Sequence, residues 1–228
     1  MADHFDIERD VLMAVIRTLA GHAADEIGKP AFDERVMAAM AKVPRHAFVP
    51  VEAHAVAYAN VPLAIGCGKT ISQPFMVAVM TDLLDLRPAD AVLEIGTGLG
   101  YQAAILAELA GKVYSVELIE DLAKSAKQRL HRQGYTNIQL RIGNGYYGWP
   151  EHAPFDKIIA TAAPDLIPPP LISQLKPGGR MVLPVGLPDA QRLMVADKDA
   201  NGRLTTRELL QVRFSLLDDP DQPASRPS

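Results

Sequence analysis

The chain of 228 residues predicts an α/β fold: a mainly parallel, doubly wound sheet preceded by helices and closed by an antiparallel C-terminal hairpin. Three observations carry this. Between residues 91 and 185 short apolar runs alternate with stretches of helical periodicity, the pattern of strands joined by crossover helices. The run Val92-Leu93-Glu94-Ile95 breaks into glycines at 96, 98 and 100, and Ala103, Ile105, Leu106 and Leu109 follow at helical spacing. That is a strand, a tight turn and a helix, the opening unit of a nucleotide-binding sheet. Finally, Asn201-Gly202 separates two apolar runs, 193–197 and 204–214, as in a β-hairpin.

The elements follow in order. Residues 5–24 and 32–41 carry apolar side chains three and four apart (Ile7, Val11, Met13 or Ala14, Val15, Thr18, Leu19; then Phe32, Val36, Met37, Met40), punctuated by Pro30 and Pro44. Residues 58–71, rich in Gly and Pro, read as a loop, and 73–84 as a helix. Strands are then expected at 91–95, 112–116, 137–142, 155–160 and 179–185, with helices at 101–110, 119–132 and 168–175. The sheet should be covered on both faces. Residues 1–216 read as one domain, with 1–72 as helices and loop and 73–216 as the core. The charged, proline-broken tail, 217–228, is expected to be disordered.

Composition sets limits. A hydrophobic content of 48% suffices for a full core. With 23 basic and 27 acidic residues the net charge is −4, which argues against nucleic-acid binding. One cysteine makes no internal disulfide and fits a reducing compartment. The acidic start, Asp3 and Asp6, is unlike a secretory signal, and no apolar run approaches the roughly 18–20 residues of a membrane span. A soluble cytoplasmic protein, a monomer with no membrane partner, is the expectation.

Glycine turns of this kind serve two ligand classes. A dinucleotide turn, G-x-G-x-x-G/A, counted from Gly96 reaches Tyr101, which fails; counted from Gly98 it ends at Ala103 but starts two residues late. The pattern E-x-G-x-G-x-G over 94–100 matches the first motif of S-adenosylmethionine-dependent methyltransferases better. Either ligand is a nucleoside. Glu117, closing the next strand about twenty residues on, stands where a carboxylate accepts from both ribose hydroxyls. Glu94, an acid among apolar residues, needs a polar partner.

Further segments turn the class into a family. Val43-Pro44-Arg45-His46-Ala47-Phe48-Val49-Pro50 comes first, then Pro62-Leu63-Ala64-Ile65-Gly66-Cys67-Gly68-Lys69-Thr70-Ile71-Ser72-Gln73-Pro74. The glycine turn follows, then Gln174-Leu175-Lys176-Pro177-Gly178-Gly179-Arg180 and Leu183-Pro184-Val185-Gly186. Over roughly residues 32–216 the chain resembles the protein-L-isoaspartate (D-aspartate) O-methyltransferases. The resemblance implies a Rossmann-like methyltransferase fold. It also implies methyl transfer from S-adenosyl-L-methionine, giving S-adenosyl-L-homocysteine, onto the abnormal carboxylate left when Asn deamidates or Asp isomerises. Isoaspartyl proteins or peptides are then the substrates. By the same resemblance Glu94, Gly96, Thr97, Gly98, Glu117, Leu118, Asn144 and Gly145 hold the cofactor. Ile65, Thr70 and Ser72 hold the acceptor, with Ser72 beside its carboxylate.

A carboxylate, with a pKa of roughly 4, is already ionised at neutral pH, so its methylation requires no general base. Alignment of oxygen, methyl and sulfur, and removal of water from the two charges, are what a site must supply. Ser72, two residues before Pro74, also reads as a helix N-cap. Cys67 between glycines has no activating partner in the sequence and reads as a small loop residue. The six His residues show no metal-ligand spacing, and no metal is predicted. Arg45 and His46 read as structural, and the small residues Thr161-Ala162-Ala163-Pro164 at the sheet's carboxyl edge would either admit a peptide backbone or simply turn the chain. Three positions depart from the family pattern. Asn144 replaces an Asp that accepts from the adenine amino group, Phe75 stands where many members have His, and Lys69 where Gln is common. Asn144 and Phe75 keep open a cofactor-binding homologue without repair activity, and because loop shape sets acceptor choice, a carboxylate methyltransferase for another peptide stays open too.

Overall fold

A computed structural model describes residues 5–217. The chain opens with α1 (Asp6–His22), a short α2 (Ala24–Ile27) and α3 (Glu34–Lys42), then two 3₁₀ turns, Arg45–Phe48 and Val51–Val56. Helix α1 forms where expected but presents a different face. Leu12, Met13, Ile16 and Ala20 enter the core, while Ile7 and Val11 remain 77% and 59% exposed. In a stretch this rich in apolar residues two helical faces satisfy the spacing, and packing against α3 and the later α4 chooses between them. Helix α3 buries Val36, Met37 and Met40 as expected, and the Asp33 carboxylate accepts from Arg35 N at its start.

The segment expected to be a loop contains a hairpin, β1 (Leu63–Gly66) and β2 (Lys69–Ile71). Its two-residue turn, Cys67-Gly68, has positive φ at both positions, 52° and 68°. Such turns match the twist of paired strands, but Cys is an uncommon occupant of that conformation, so the signal is weak in the sequence. Helix α4 (Pro74–Leu83) follows, and then the alternating region: β3 (Ala91–Ile95), α5 (Tyr101–Leu109), β4 (Lys112–Glu117), α6 (Glu120–Arg132), β5 (Ile138–Ile142), β6 (Phe155–Ala160), α7 (Pro169–Gln174), β7 (Leu175–Val185), β8 (Arg192–Lys198) and β9 (Leu204–Gln211).

These form one seven-stranded sheet in the order β5-β4-β3-β6-β7-β8-β9. The first five are parallel, and β8 and β9 add as antiparallel strands. Side chains alternate across it. Val92 and Val113 pack with α4 and α5, whereas Leu93, Ile95, Tyr114 and Val116 pack on the other face with Leu171 of α7. Strand β7 begins at Leu175 rather than 179, because Leu175 pairs with Phe155 before a register shift resumes at Arg180. The last hairpin turns through Asp199–Arg203, and the Asp199 carboxylate accepts from Asn201 N and Arg203 N at 2.8 and 2.9 Å. Of the tail, residues 218–228 lie outside the described residues. Leu217 is ordered: its N donates to Ala163 O at 2.8 Å, next to a parallel bridge between Ala163 and Leu216.

Candidate active site

The sheet reverses its direction of growth at β3, with β4 on one side and β6 on the other. Chain segments leaving the carboxyl ends of β3 and β6 diverge there, and such a crevice is where open α/β sheets bind ligands. An open cleft of about 600 Å³ lies at this point, bordered by Gly96 and Gly98 after β3, Glu117 and Leu118 after β4, Gly145 after β5, and Thr161 after β6. The β1–β2 hairpin reaches over it through Ile65, Lys69 and Thr70. A smaller cavity continues beneath the hairpin, where Ser72, Thr97 and Thr161 meet.

The turn that opens the crevice depends on its glycines. Gly96 has φ +91°, and a Cβ there would sit 2.6 Å from Thr161 Oγ1. That hydroxyl donates to Gly96 O at 2.6 Å and closes the gap between the ends of β3 and β6. Gly98 has φ +57°, and a Cβ would meet Ile65 Cδ1 at 3.3 Å. Gly98 N donates to Glu117 Oε2 at 2.7 Å and Ile119 N donates to Oε1 at 2.9 Å. The carboxylate is thereby fixed before any ligand arrives, with further lone pairs on each oxygen. Those are the acceptors a ribose diol needs.

Glu94 borders neither cavity. It is fully buried in β3 opposite Ser115 of β4. Its Oε2 shares a hydrogen bond with Ser115 Oγ, which lies 2.5 Å from Thr97 Oγ1, and Oε1 has no partner among the described residues. Burial pushes its pKa up to about 8; the Ser115 bond opposes this and the charge of Glu117 adds to it. The polar partner expected for this acid is therefore a hydroxyl pair ending at the glycine turn.

Ser72 is not a helix cap. Helix α4 starts at Pro74, and Asn60 does the capping: its Oδ1 accepts from Phe75 N at 2.9 Å, while its carbonyl accepts from Gln73 Nε2. Local spacing favoured Ser72, but only the fold brings Asn60 there. The Ser72 carbonyl accepts from Nη2 of the fully buried Arg45 at 2.8 Å, and Ser72 lines the small cavity. Arg45 is structural, as expected, with Nε on Ala57 O and its guanidinium 4.9 Å from the Tyr101 ring centroid. His46 stacks on Phe5 and bonds Tyr58 OH through Nδ1. Phe75 packs against Phe32, Cys67 is exposed at the hairpin tip, and Lys69 borders the cleft.

Asn144 lies just after β5, where its Oδ1 accepts from Tyr146 N at 2.9 Å and caps a 3₁₀ turn; Gly145 borders the cleft beside it. Sequence reasoning missed Ile119, Leu122 and the segment 215–217, all of which border the cleft. The last arrives from beyond β9 through the bonds to Ala163, a pairing between distant positions that no local pattern reveals. Among the described residues no group of three His, Cys, Asp or Glu side chains is placed to hold a metal ion. Nor is any helix there long and apolar enough to cross a membrane.

A parallel sheet with this switch point, a turn of pattern E-x-G-x-G-x-G at 94–100 and a carboxylate with lone pairs left for a ribose together fit an S-adenosylmethionine-dependent methyltransferase. A family model described as protein-L-isoaspartate(D-aspartate) O-methyltransferase matches residues 26–221. The chain is 61% identical over 217 residues to protein-L-isoaspartate O-methyltransferase 1 of Polaromonas sp. (strain JS666 / ATCC BAA-500), covering 95% of this chain and 92% of that one. It is 55% identical to protein-L-isoaspartate O-methyltransferase 2 of Syntrophobacter fumaroxidans, covering 94% and 87%. A solved protein-L-isoaspartate O-methyltransferase superposes with TM-score 0.79 at 28% identity, covering 92% of this chain and 66% of that one. A second, from Plasmodium falciparum in complex with S-adenosyl-L-homocysteine, shares the fold with TM-score 0.73 at 24% identity, covering 82% and 91%. The chain belongs to the protein-L-isoaspartate (D-aspartate) O-methyltransferase family.

Proposed function

We propose that this protein transfers the methyl group of S-adenosyl-L-methionine to the free carboxylate of L-isoaspartyl residues, the step that begins their repair. The nucleoside lies in the cleft with its ribose on Glu117 and its adenine toward Asn144, Gly145 and Leu118, and the methionine end meets Gly96, Thr97 and Gly98. Bound there, the cofactor supplies an electrophilic methyl group on a sulfonium. The acceptor enters beneath the hairpin, against Ile65, Thr70 and Ser72, with Lys69 attracting its charge at the rim. Residues 1–216 act as one catalytic unit in this reading, with 1–72 providing the acceptor side.

The observation that carries it is the composition of the small cavity. Ser72, Thr97, Thr70 and Thr161 bring aliphatic hydroxyls, Ile65 and Leu99 bring apolar surface, Tyr101 and Gln102 complete the wall, and among the described residues no carboxylate or imidazole borders it. Such a site aligns and desolvates an acceptor that is already ionised, and it has no base to deprotonate a neutral one. An alcohol or amine acceptor fits it poorly. The test incubates the protein with labelled S-adenosyl-L-methionine and matched peptides containing Asp, isoAsp or D-Asp at one position. Base-labile label on the isoAsp peptide alone, or on isoAsp above D-Asp, is expected. Equal labelling of the Asp peptide would remove the repair assignment.

A further inference from the structure

The crevice chemistry leaves one buried group unexplained: a carboxyl beneath the glycine turn with one oxygen on a hydroxyl and the other without a partner among the described residues. Glu94 and its two hydroxyl neighbours form a chain, Glu94 Oε2 to Ser115 Oγ to Thr97 Oγ1, all three residues being almost wholly buried. Each hydroxyl has a single hydrogen to donate, so the chain runs in one of two directions, and the proton on Glu94 decides which. If Glu94 is ionised, Ser115 donates to it, Thr97 donates to Ser115, and Thr97 offers only lone pairs to the cavity. If Glu94 is neutral, it donates to Ser115, Ser115 donates to Thr97, and the Thr97 hydrogen is released toward the cavity.

The geometry favours the second direction. An ionised carboxylate oxygen buried without any partner is far more costly than the carbonyl oxygen of a neutral acid. Among the described residues no cation compensates. Glu117, at the end of β4, is the charge that acts on Glu94, and it acts against ionisation. Strand β6 presents Ile159 at the paired position. On α4 and α5, which cover this face, each titratable side chain has another partner: Asp82 pairs with Lys29, Glu108 with Lys42, and the Tyr101 ring lies against Arg45. Helix α6, which also packs on this face, turns Leu122, Ala123, Ala126 and Leu130 inward; its Glu, Asp, Lys and His side chains and Arg132 are exposed, and Arg129 bonds Ser125.

We infer that Glu94 is a positioning residue, a neutral acid that acts through Ser115 to turn the Thr97 hydroxyl into a hydrogen-bond donor for the carboxylate of the cofactor's methionine end. This rests on the proposed placement of that end at residues 96–98. Because burial holds Glu94 protonated only up to about pH 8, ionisation above it reverses the chain and presents lone pairs to a carboxylate, which is repulsive. Gln at this position is a permanent donor through its amide N–H and does not titrate.

The test is the pH dependence of S-adenosyl-L-homocysteine affinity, measured by calorimetry for wild type, Glu94→Gln and Ser115→Ala. The ligand's own ammonium titrates in all three and cancels in the ratios. Between about pH 7 and about pH 9 the dissociation constant of wild type should rise about tenfold relative to Glu94→Gln, as linkage to one proton requires. Ser115→Ala, which cuts the chain, should be weaker than wild type at pH 7 and lack the same rise; it carries the test alone if the Gln variant fails to fold. A constant ratio of wild type to either variant across the range overturns the inference. Failure of wild type to bind at pH 7 would instead overturn the cofactor placement on which it rests.

Discussion

At single positions the sharpest consequences concern Glu94 and Asn144. The folded state holds the Glu94 proton up to about pH 8, whereas the ordinary value is 4.5. Between these pH values the unfolded chain has released a proton that the native protein keeps, so stability falls as pH rises through that window and levels off above it. Glu94→Gln removes this dependence. Its stability relative to wild type should therefore climb from about pH 5 to about pH 8, by at most about 1.4 kcal/mol per pH unit, and urea unfolding at several pH values measures it. A parallel difference at all pH values would place an ionised Glu94 in the native state. Asn144 serves two ends, a cap on the 3₁₀ turn and the proposed adenine contact. Asp keeps the cap and offers a stronger acceptor, so Asn144→Asp should retain or tighten S-adenosyl-L-homocysteine binding. Asn144→Leu should weaken it by about 1–3 kcal/mol. Equal affinities in calorimetry for all three would remove the residue from the site.

Among the elements, the start of α4 separates two roles that local spacing had merged on Ser72. Asn60, not Ser72, accepts from the first turn of the helix, so the two side chains should fail differently when removed. Asn60→Ala should lower stability by about 0.5–2 kcal/mol, the usual cost of a lost cap. Ser72→Ala and Ser72→Gly should leave the melting temperature near that of wild type and lower turnover of an isoaspartyl peptide at saturating cofactor. Full turnover in both Ser72 variants would leave the cleft to work by shape and desolvation. The strands and helices from β3 to β6 were legible because each carries its signal locally, as apolar runs, helical spacing and glycine turns. The β1–β2 hairpin was not, since Cys67 occupies a turn position whose usual residues are Gly, Asn or Asp. The core-facing side of α1 was not either, since it is chosen by packing.

For the molecule as a whole, legibility follows chain separation. Gly96, Gly98 and Glu117 lie on consecutive units of the sheet and were found from spacing. The segment 215–217 reaches the same cleft from the far end of the described chain, after β8 and β9 have moved away from it, and is held there by the bonds of Ala163 to Ser215 and Leu217 and by Leu217 packing beside the core. It borders the cleft proposed for the cofactor without being part of the sheet, so its loss should separate binding from folding. Just before this segment the chain is anchored at Phe214, whose N donates to and whose O accepts from the side-chain amide of Gln191, next to the start of β8. A chain ending at Phe214 keeps that anchor and loses the strap. Its melting temperature without ligand should lie near that of the full chain, while the upward shift produced by saturating S-adenosyl-L-homocysteine should shrink, because stabilisation by a ligand scales with the logarithm of its concentration over the dissociation constant. An undiminished shift would mean that the strap borders the cleft without touching what binds there. A fall in the ligand-free melting temperature of the size expected for a lost strand would make it part of the fold instead.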